Sequence, residues 1–341
     1  MKERKEAAKF VKSSDISRKL CNVFNHMQME DMAVTKAVNF LKKIYEKLGE
    51  NDDIEHAEFF NHFIHLLKLP LSKGTSKDRM TQFDEKIFEV VCQFGTSFLK
   101  KDGDDDEEGE KTKNLNESED GTIELPKFLR NLFEWLLDHH EVESSGARLK
   151  VCMLINRLLK LLGEEAEIDD ELYDKIHDNM IERLKDKVAE IRAQAVHALQ
   201  RLQDPKDDQC PIIKVIYEKI LRKMLQRLNF FFVKSINRLC IDLTNYFLLL
   251  QAFIFHMGCD PSPMVRRAIV RCIGATRVTL PHVLKRTLDV DEKVRKAAYK
   301  FIADKVHIKS LTISRREEIV RRGLTDRNEN VRNVVAKDLG K

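Results

Sequence analysis

The sequence predicts an all-α chain folded as an α-solenoid of stacked helical pairs, and three observations carry that expectation. A short phrase, Asp followed after four residues by Ile or Val and then Arg, recurs as "DKVAEIRAQAV" from Asp186, "DPSPMVRRAIV" from Asp260, "DVDEKVRKAAY" from Asp289 and "DRNENVRNVVA" from Asp326. Glycine and proline are scarce, 12 and 7 in 341 residues, whereas 43% of the chain is hydrophobic. That composition is ample for a core and favours helix over sheet. No stretch alternates apolar and polar residues between hairpin turns, so no sheet is expected.

The arginines of the phrase are Arg192, Arg266, Arg295 and Arg332, with Arg148 in "SSGARLKVCML" a weaker relative, and their separations are 44, 74, 29 and 37 residues. Periods of roughly 37–47 residues belong to HEAT-type, armadillo-like superhelices, in which two helices form each repeat. Ser262, Asp291 and Asn328 stand where a helix N-cap is wanted, and Pro263 takes the first helical position, where its missing N–H costs nothing. Val294, Ala297, Ala298, Phe301 and Ile302 then recur at helical spacing. Segments 170–186 and 314–326 supply the first helix of their pairs. In such stacks a motif arginine pairs with the motif aspartate of a neighbouring repeat. Asp186, Arg192, Asp260, Arg266, Asp289, Arg295, Asp326 and Arg332 are therefore expected to be structural.

In chain order, residues 1–100 read as degenerate helical repeats, with apolar stripes in 33–49, 56–70 and 84–101. Residues 101–122 combine a dense acidic run with almost no apolar content and read as a disordered loop. Residues 123–220 resume as repeats, and 258–341 form a basic repeat block. Between them, 221–257 is apolar, aromatic-rich and without the phrase. Three readings stay open for it: a buried helical insert, which is favoured, a membrane span, and non-native coding sequence. The span is disfavoured because Asp242 would be costly in lipid.

Charge and motif content narrow the function classes. The net charge is +4, but residues 258–341 carry 20 Lys and Arg against 10 Asp and Glu, which points to a polyanionic partner. Seven cysteines are scattered without a C-x-x-C pair, as in a reducing compartment. The opening "MKERKEAAKFVK" has no apolar signal region, so an intracellular chain is expected. Of His56, His62 and His65, the last two lack an acidic or cysteine partner at metal-ligand spacing, and no phosphate-cradling, nucleophile-elbow or zinc-protease motif occurs. The expectation is no enzyme, no cofactor, no metal site and no small-molecule substrate.

The stretches "ARLKVCMLINRLLKLLGEEAEIDDELYDKI", "RLKDKVAEIRAQAVHALQRLQDPKDDQCPI" and "TLPHVLKRTLDVDEKVRKAAYKFIADKVHIKSLTISRRE" together resemble the CAP-G family of non-SMC, HEAT-repeat condensin subunits. The resemblance is strong over 123–220 and 258–341, and weaker at "FFNHFIHLLKL". It implies a non-catalytic subunit that binds a CAP-H-type kleisin and, through it, the SMC ATPase pair. It also implies that the subunit and kleisin hold double-stranded DNA, without sequence preference, in a basic groove during mitotic chromosome condensation. The expected location is nucleus, cytoplasm and mitotic chromosomes. Family members are longer, so the array reads as an N-terminal portion, and 221–257 has no counterpart in them; its removal restores a spacing of 37 residues.

DNA held by its backbone needs Lys and Arg along one face. The candidates are Arg267, Arg271, Lys285, Arg286, Lys293, Lys296 and Lys300, with a second cluster at Lys68 and Lys73. The competing reading is a HEAT-repeat scaffold of transport-receptor or phosphatase-scaffold type without direct DNA binding.

Overall fold

The computed structural model describes residues 2–29, 32–48, 53–72, 74, 80–99, 125–162, 168–203 and 249–339. Every regular element among them is helical. They fall into two compact units, Met1–Ile176 and His177–Lys341. The acidic segment 101–122, the phrase "DPKDDQCPI" and residues 221–248 lie outside the described residues.

The first unit contains α1 (Lys2–Gln28), α2 (Val34–Tyr45), α3 (Asp53–Ser72), α4 (Gln82–Thr96), α5 (Lys127–Asp138), α6 (Ser145–Leu161) and the start of α7 (Asp170–Arg183). Its core is aromatic. Phe59, Phe63, Phe94 and Phe128 are buried, with Phe94 and Phe128 edge-to-face at 4.9 Å and Phe63 and Phe128 at 5.3 Å. Each such ring contributes about 1.5–3 kcal/mol by leaving water, with edge-to-face contacts adding to it. Thr81 caps α4 through a reciprocal pair of bonds with Asp84. The buried Lys150 of α6 donates to Asp84 Oδ2 at 3.0 Å and to the Pro70 carbonyl at 2.7 Å. The last carbonyls of α3 have no intrahelical partner, so Lys150 satisfies one of them while its charge is met by Asp84.

The second unit begins within α7 and continues with α8 (Ala189–Leu199), α9 (249–259), α10 (Pro263–Cys272), α11 (Leu280–Arg286), α12 (Glu292–Lys305), α13 (Ile313–Leu324) and α14 (Glu329–Val334), closed by a π turn at Val335–Leu339. The second helices of successive pairs pack on one another in order, α8 on α10, α10 on α12 and α12 on α14. Tyr299, Ile302, Ile319, Val331 and Val335 form the core of the last pairs. Asp291 accepts bonds from the N–H groups of Lys293 and Val294, and Asn328 from that of Asn330. Ser262 occupies the cap position of α10 but makes no side-chain cap bond; Pro263 begins that helix.

Of the block expected as an atypical apolar helical insert, the described residues 249–257 lie in α9, with Leu249, Leu250, Phe253 and Met257 buried. Those spacings of one, four and eight residues put all four on one helical face. Among the described residues, no helix is long and apolar enough to cross a membrane.

The arginine ladder and a candidate nucleic-acid interface

The seven-residue phrase folds the same way each time. Its aspartate sits in the turn before the second helix and accepts the N–H two residues on: Asp186 from Val188 at 2.9 Å, Asp260 from Ser262 at 2.9 Å, Asp289 from Asp291 at 3.0 Å and Asp326 from Asn328 at 2.8 Å. Its arginine, one turn into the helix, reaches back with Nη1 to the carbonyl of that aspartate. Those bonds are 2.8 Å from Arg192, 2.8 Å from Arg266, 2.9 Å from Arg295 and 2.7 Å from Arg332. Arg148 donates likewise to the carbonyls of Val142 and Glu143, six and five residues back.

In Arg192, Arg266 and Arg295 the rest of the guanidinium crosses to the next pair. Arg192 grips both carboxylate oxygens of Asp260 at 2.8 Å, Arg266 those of Asp289 at 2.9 and 2.7 Å, and Arg295 those of Asp326 at 2.7 and 2.9 Å. The planar fork matches a carboxylate with two parallel bonds, which no lysine does. Burial pushes the carboxyls of Asp260, Asp289 and Asp326 up. The arginine fork and the turn N–H outweigh it and hold each below the ordinary carboxylate value. The Arg266 and Arg295 guanidinium pKa values are raised, chiefly by their bonds to Asp289 and Asp326.

With the ladder as a ruler, the candidate cations separate. Positions one and five residues after the motif arginine are Arg267 and Arg271 on α10 and Lys296 and Lys300 on α12; the fifth position after Arg332 is Lys337. Arg267 is half-buried and the other four are exposed. Lys293 joins Lys296 and Lys300 on one stripe of α12, at spacings of three and seven. Lys305 donates to the carbonyls of Arg271 and Ile273 at 3.2 and 3.3 Å, tying the end of α10 to α12.

Arg286 departs from the expected set. Its Nη1 donates to Asp289 Oδ2 at 3.1 Å, so this side chain is a second cation on a ladder aspartate instead of a surface charge. Its neighbour Lys285 is exposed in the last turn of α11, a first helix outside the α10–α12 stripes, where the helix dipole favours a cation. Lys68 is exposed in the first unit, its Nζ 6.0 Å from the Trp135 ring centroid. Lys73 lies outside the described residues.

Two contacts were not expected from the sequence. His256 Nδ1 lies 3.1 Å from Asp260 Oδ2, a pairing signalled only by its four-residue spacing on α9. Gln203 clasps the turn after α10, donating to the Cys272 carbonyl at 3.1 Å and accepting the Gly274 N–H at 3.0 Å. A glutamine 71 residues from its partner leaves no trace in a single sequence. Among the described residues, no group of three or more His, Cys, Asp or Glu gathers to hold a metal.

Comparison with known proteins places this geometry. The chain is 36% identical over 316 residues to condensin complex subunit 3 of Homo sapiens, and 35% identical over 304 residues to that of Xenopus laevis; these matches take in 93% and 89% of this chain. The chain belongs to the condensin subunit 3 family. It spans about a quarter of those relatives, 25% and 24% of their lengths. The condensin subunit 3 of Schizosaccharomyces pombe matches at 28% identity over 197 residues, 58% of this chain and 18% of its own. No family model matches the chain. Among solved structures, the crystal structure of the S. pombe condensin Cnd3–Cnd2 subcomplex is similar at a TM-score of 0.60 and 19% identity, over 93% of this chain and 32% of that chain. That likeness is one of fold, the HEAT-type α-solenoid. The ladder's longest step in sequence is the one from Arg192 to Asp260, 68 residues on.

Proposed function

We propose that this chain is a non-catalytic condensin component that, with a kleisin, contacts double-stranded DNA through the backbone charge of Arg267, Arg271, Lys296, Lys300 and Lys337, with Lys293 at the edge. The observation that carries this reading is the shared register of those cations. Two consecutive second helices present a basic pair one turn apart, and packed helices lie about 8–10 Å from each other. A field of separated point charges suits phosphates and offers no base-reading geometry. In this reading the protein acts in the nucleus and cytoplasm and on mitotic chromosomes, joined through the kleisin to the SMC ATPase pair. The S. pombe relative was crystallised as a Cnd3–Cnd2 subcomplex, which supports a kleisin-type partner.

The test is the salt dependence of duplex binding by the chain with its kleisin, read by fluorescence anisotropy on two unrelated sequences. Neutralising Arg267, Arg271, Lys296 and Lys300 to Gln removes four phosphate contacts. The slope of log K against log salt should fall by about 3 to 4, equally for both sequences. An unchanged slope overturns these sites. Retained kleisin binding with that unchanged slope favours the scaffold reading.

A further inference from the structure

The first unit carries a cleft that the ladder and the DNA reading do not use. It runs between α1 and α2 and encloses about 1240 Å³, above the usual range for a small-molecule pocket, roughly 300–1,000 Å³. On the α2 side its wall is Lys36, Phe40, Lys43, Ile44 and Lys47. Lys36, Phe40, Lys43 and Ile44, at spacings of four, seven and eight, form one stripe of α2, and Lys47, at eleven, extends it in the turn just past the helix end at Tyr45. Phe40 is 42% exposed, an aromatic side chain left facing water in the middle of three exposed lysines.

On the α1 side the wall runs from Asp15 through Arg18, Lys19 and Asn22 to His26, also eleven residues. Ile16, Val23, Met32 and Leu48 line the cleft between these walls. The charges do not balance within the cleft. Asp15 is taken up by ion pairs with both Arg18 and Lys19, whose bonds hold its carboxyl below its ordinary value. Glu55 is the other acid in the lining. Lys36, Lys43 and Lys47 have no ion-pair partner among the described residues. Both walls are therefore in cationic excess over an apolar floor.

We propose that this cleft is a docking site for an acidic amphipathic helix of a partner protein, about three turns long. Eleven residues of helix span about 16 Å, so such a segment matches both walls in length. Its apolar stripe would cover Phe40 and Ile44, and its flanking carboxylates would face the lysines on one side and Arg18 on the other. Duplex DNA fits less well, because it offers phosphates but nothing to cover an apolar floor. The site is independent of the DNA reading: it lies in the other unit and shares no residue with it.

The experiment uses the full chain and a fluorescein-labelled helical peptide of about 14 residues, with Leu at helical spacing and Glu on its flanks. The controls are a scrambled peptide and one with Lys flanks. The Glu-flanked peptide should bind at least about tenfold more tightly than either control, and Phe40→Asp should weaken it by about tenfold or more. Reversing Lys36, Lys43 and Lys47 together to Glu should switch the preference to the Lys-flanked peptide, with the circular-dichroism spectrum unchanged. Equal binding of the scrambled peptide, no switch in the triple variant, displacement by duplex DNA, or concentration-dependent self-association blocked by Phe40→Asp would each overturn the proposal. A quadruple Gln variant at Arg267, Arg271, Lys296 and Lys300 should bind the peptide as the parent does, which separates this site's failure from that of the DNA reading.

Discussion

Arg192 holds Asp260 with both arms of its guanidinium, Nε to Oδ2 and Nη2 to Oδ1 at 2.8 Å each, across 68 residues of chain. The aspartate side chain is 1% exposed and the arginine 9%. Such a rung joins two repeats by a charged pair that water barely reaches. Its geometry is repeated by Arg266 with Asp289 and Arg295 with Asp326.

Breaking one rung should cost far more than removing it whole. Arg295→Met leaves the Asp326 carboxylate buried beside a thioether, and an uncompensated buried charge costs about 3–5 kcal/mol. Pairing it with Asp326→Leu should recover a large part of that loss. Urea unfolding followed by circular dichroism, run on both single variants and the double, measures the coupling. Additive effects would mean that the rung contributes nothing as a pair.

Lys285 and Arg286 are adjacent, yet their substitutions should differ sharply. Lys285→Glu alters an exposed side chain and should change stability by no more than about 0.5 kcal/mol. Arg286→Glu sets a second carboxylate against Asp289, whose side chain is 2% exposed, and should cost more than about 1 kcal/mol. Comparing their thermal midpoints decides it.

Two helical glycines should respond in opposite directions to alanine. A Cβ on Gly323 falls against Val335 Cγ2, 2.9 Å from its Cγ1 and 3.0 Å from Tyr299 Cε1. Overpacking of that kind costs about 1–3 kcal/mol. A Cβ on Gly258 meets nothing within 4 Å, and α9 should gain about 0.5–1 kcal/mol from the better helix former. The same unfolding assay reads both signs.

Acid should unlock the second unit through the ladder. The carboxyls of Asp260, Asp289 and Asp326 have lowered pKa values in the folded chain. Their contribution is therefore fully present above the unfolded value of about 3.9 and is lost as pH falls through the lower folded values. The urea midpoint should drop steeply below about pH 4, and Arg295→Met/Asp326→Leu should flatten part of that drop. An identical acid profile in the double variant would place the effect elsewhere.

Much of the second unit is legible one helix at a time. The Asp and Arg of each phrase are six residues apart, so the turn N–H and the Nη1 bond to the aspartate carbonyl are local chemistry, readable wherever the phrase occurs. The caps at Asp291 and Asn328 are equally local, whereas Ser262 shows that a good cap residue does not compel a cap bond. The boundary of the apolar block was less legible. Leu249, Phe253 and Met257 have helical spacing, but apolarity alone does not separate the end of an insertion from the first helix of the next pair. The Arg286–Asp289 pair is illegible for a related reason. A basic residue in a basic stretch looks like surface until the chain brings a buried aspartate within its reach.

By itself, the sequence determined the helical class, the repeat and the residues of the ladder, because spacing along one helix and one turn sets those. Only the tertiary structure decided which aspartate each arginine grips, which cations remain on the α10 and α12 stripes, and that Lys36, Phe40 and Lys47 share a cleft with Arg18. Those facts depend on which helices lie side by side. Packing between segments tens of residues apart settles that, and no local pattern records it.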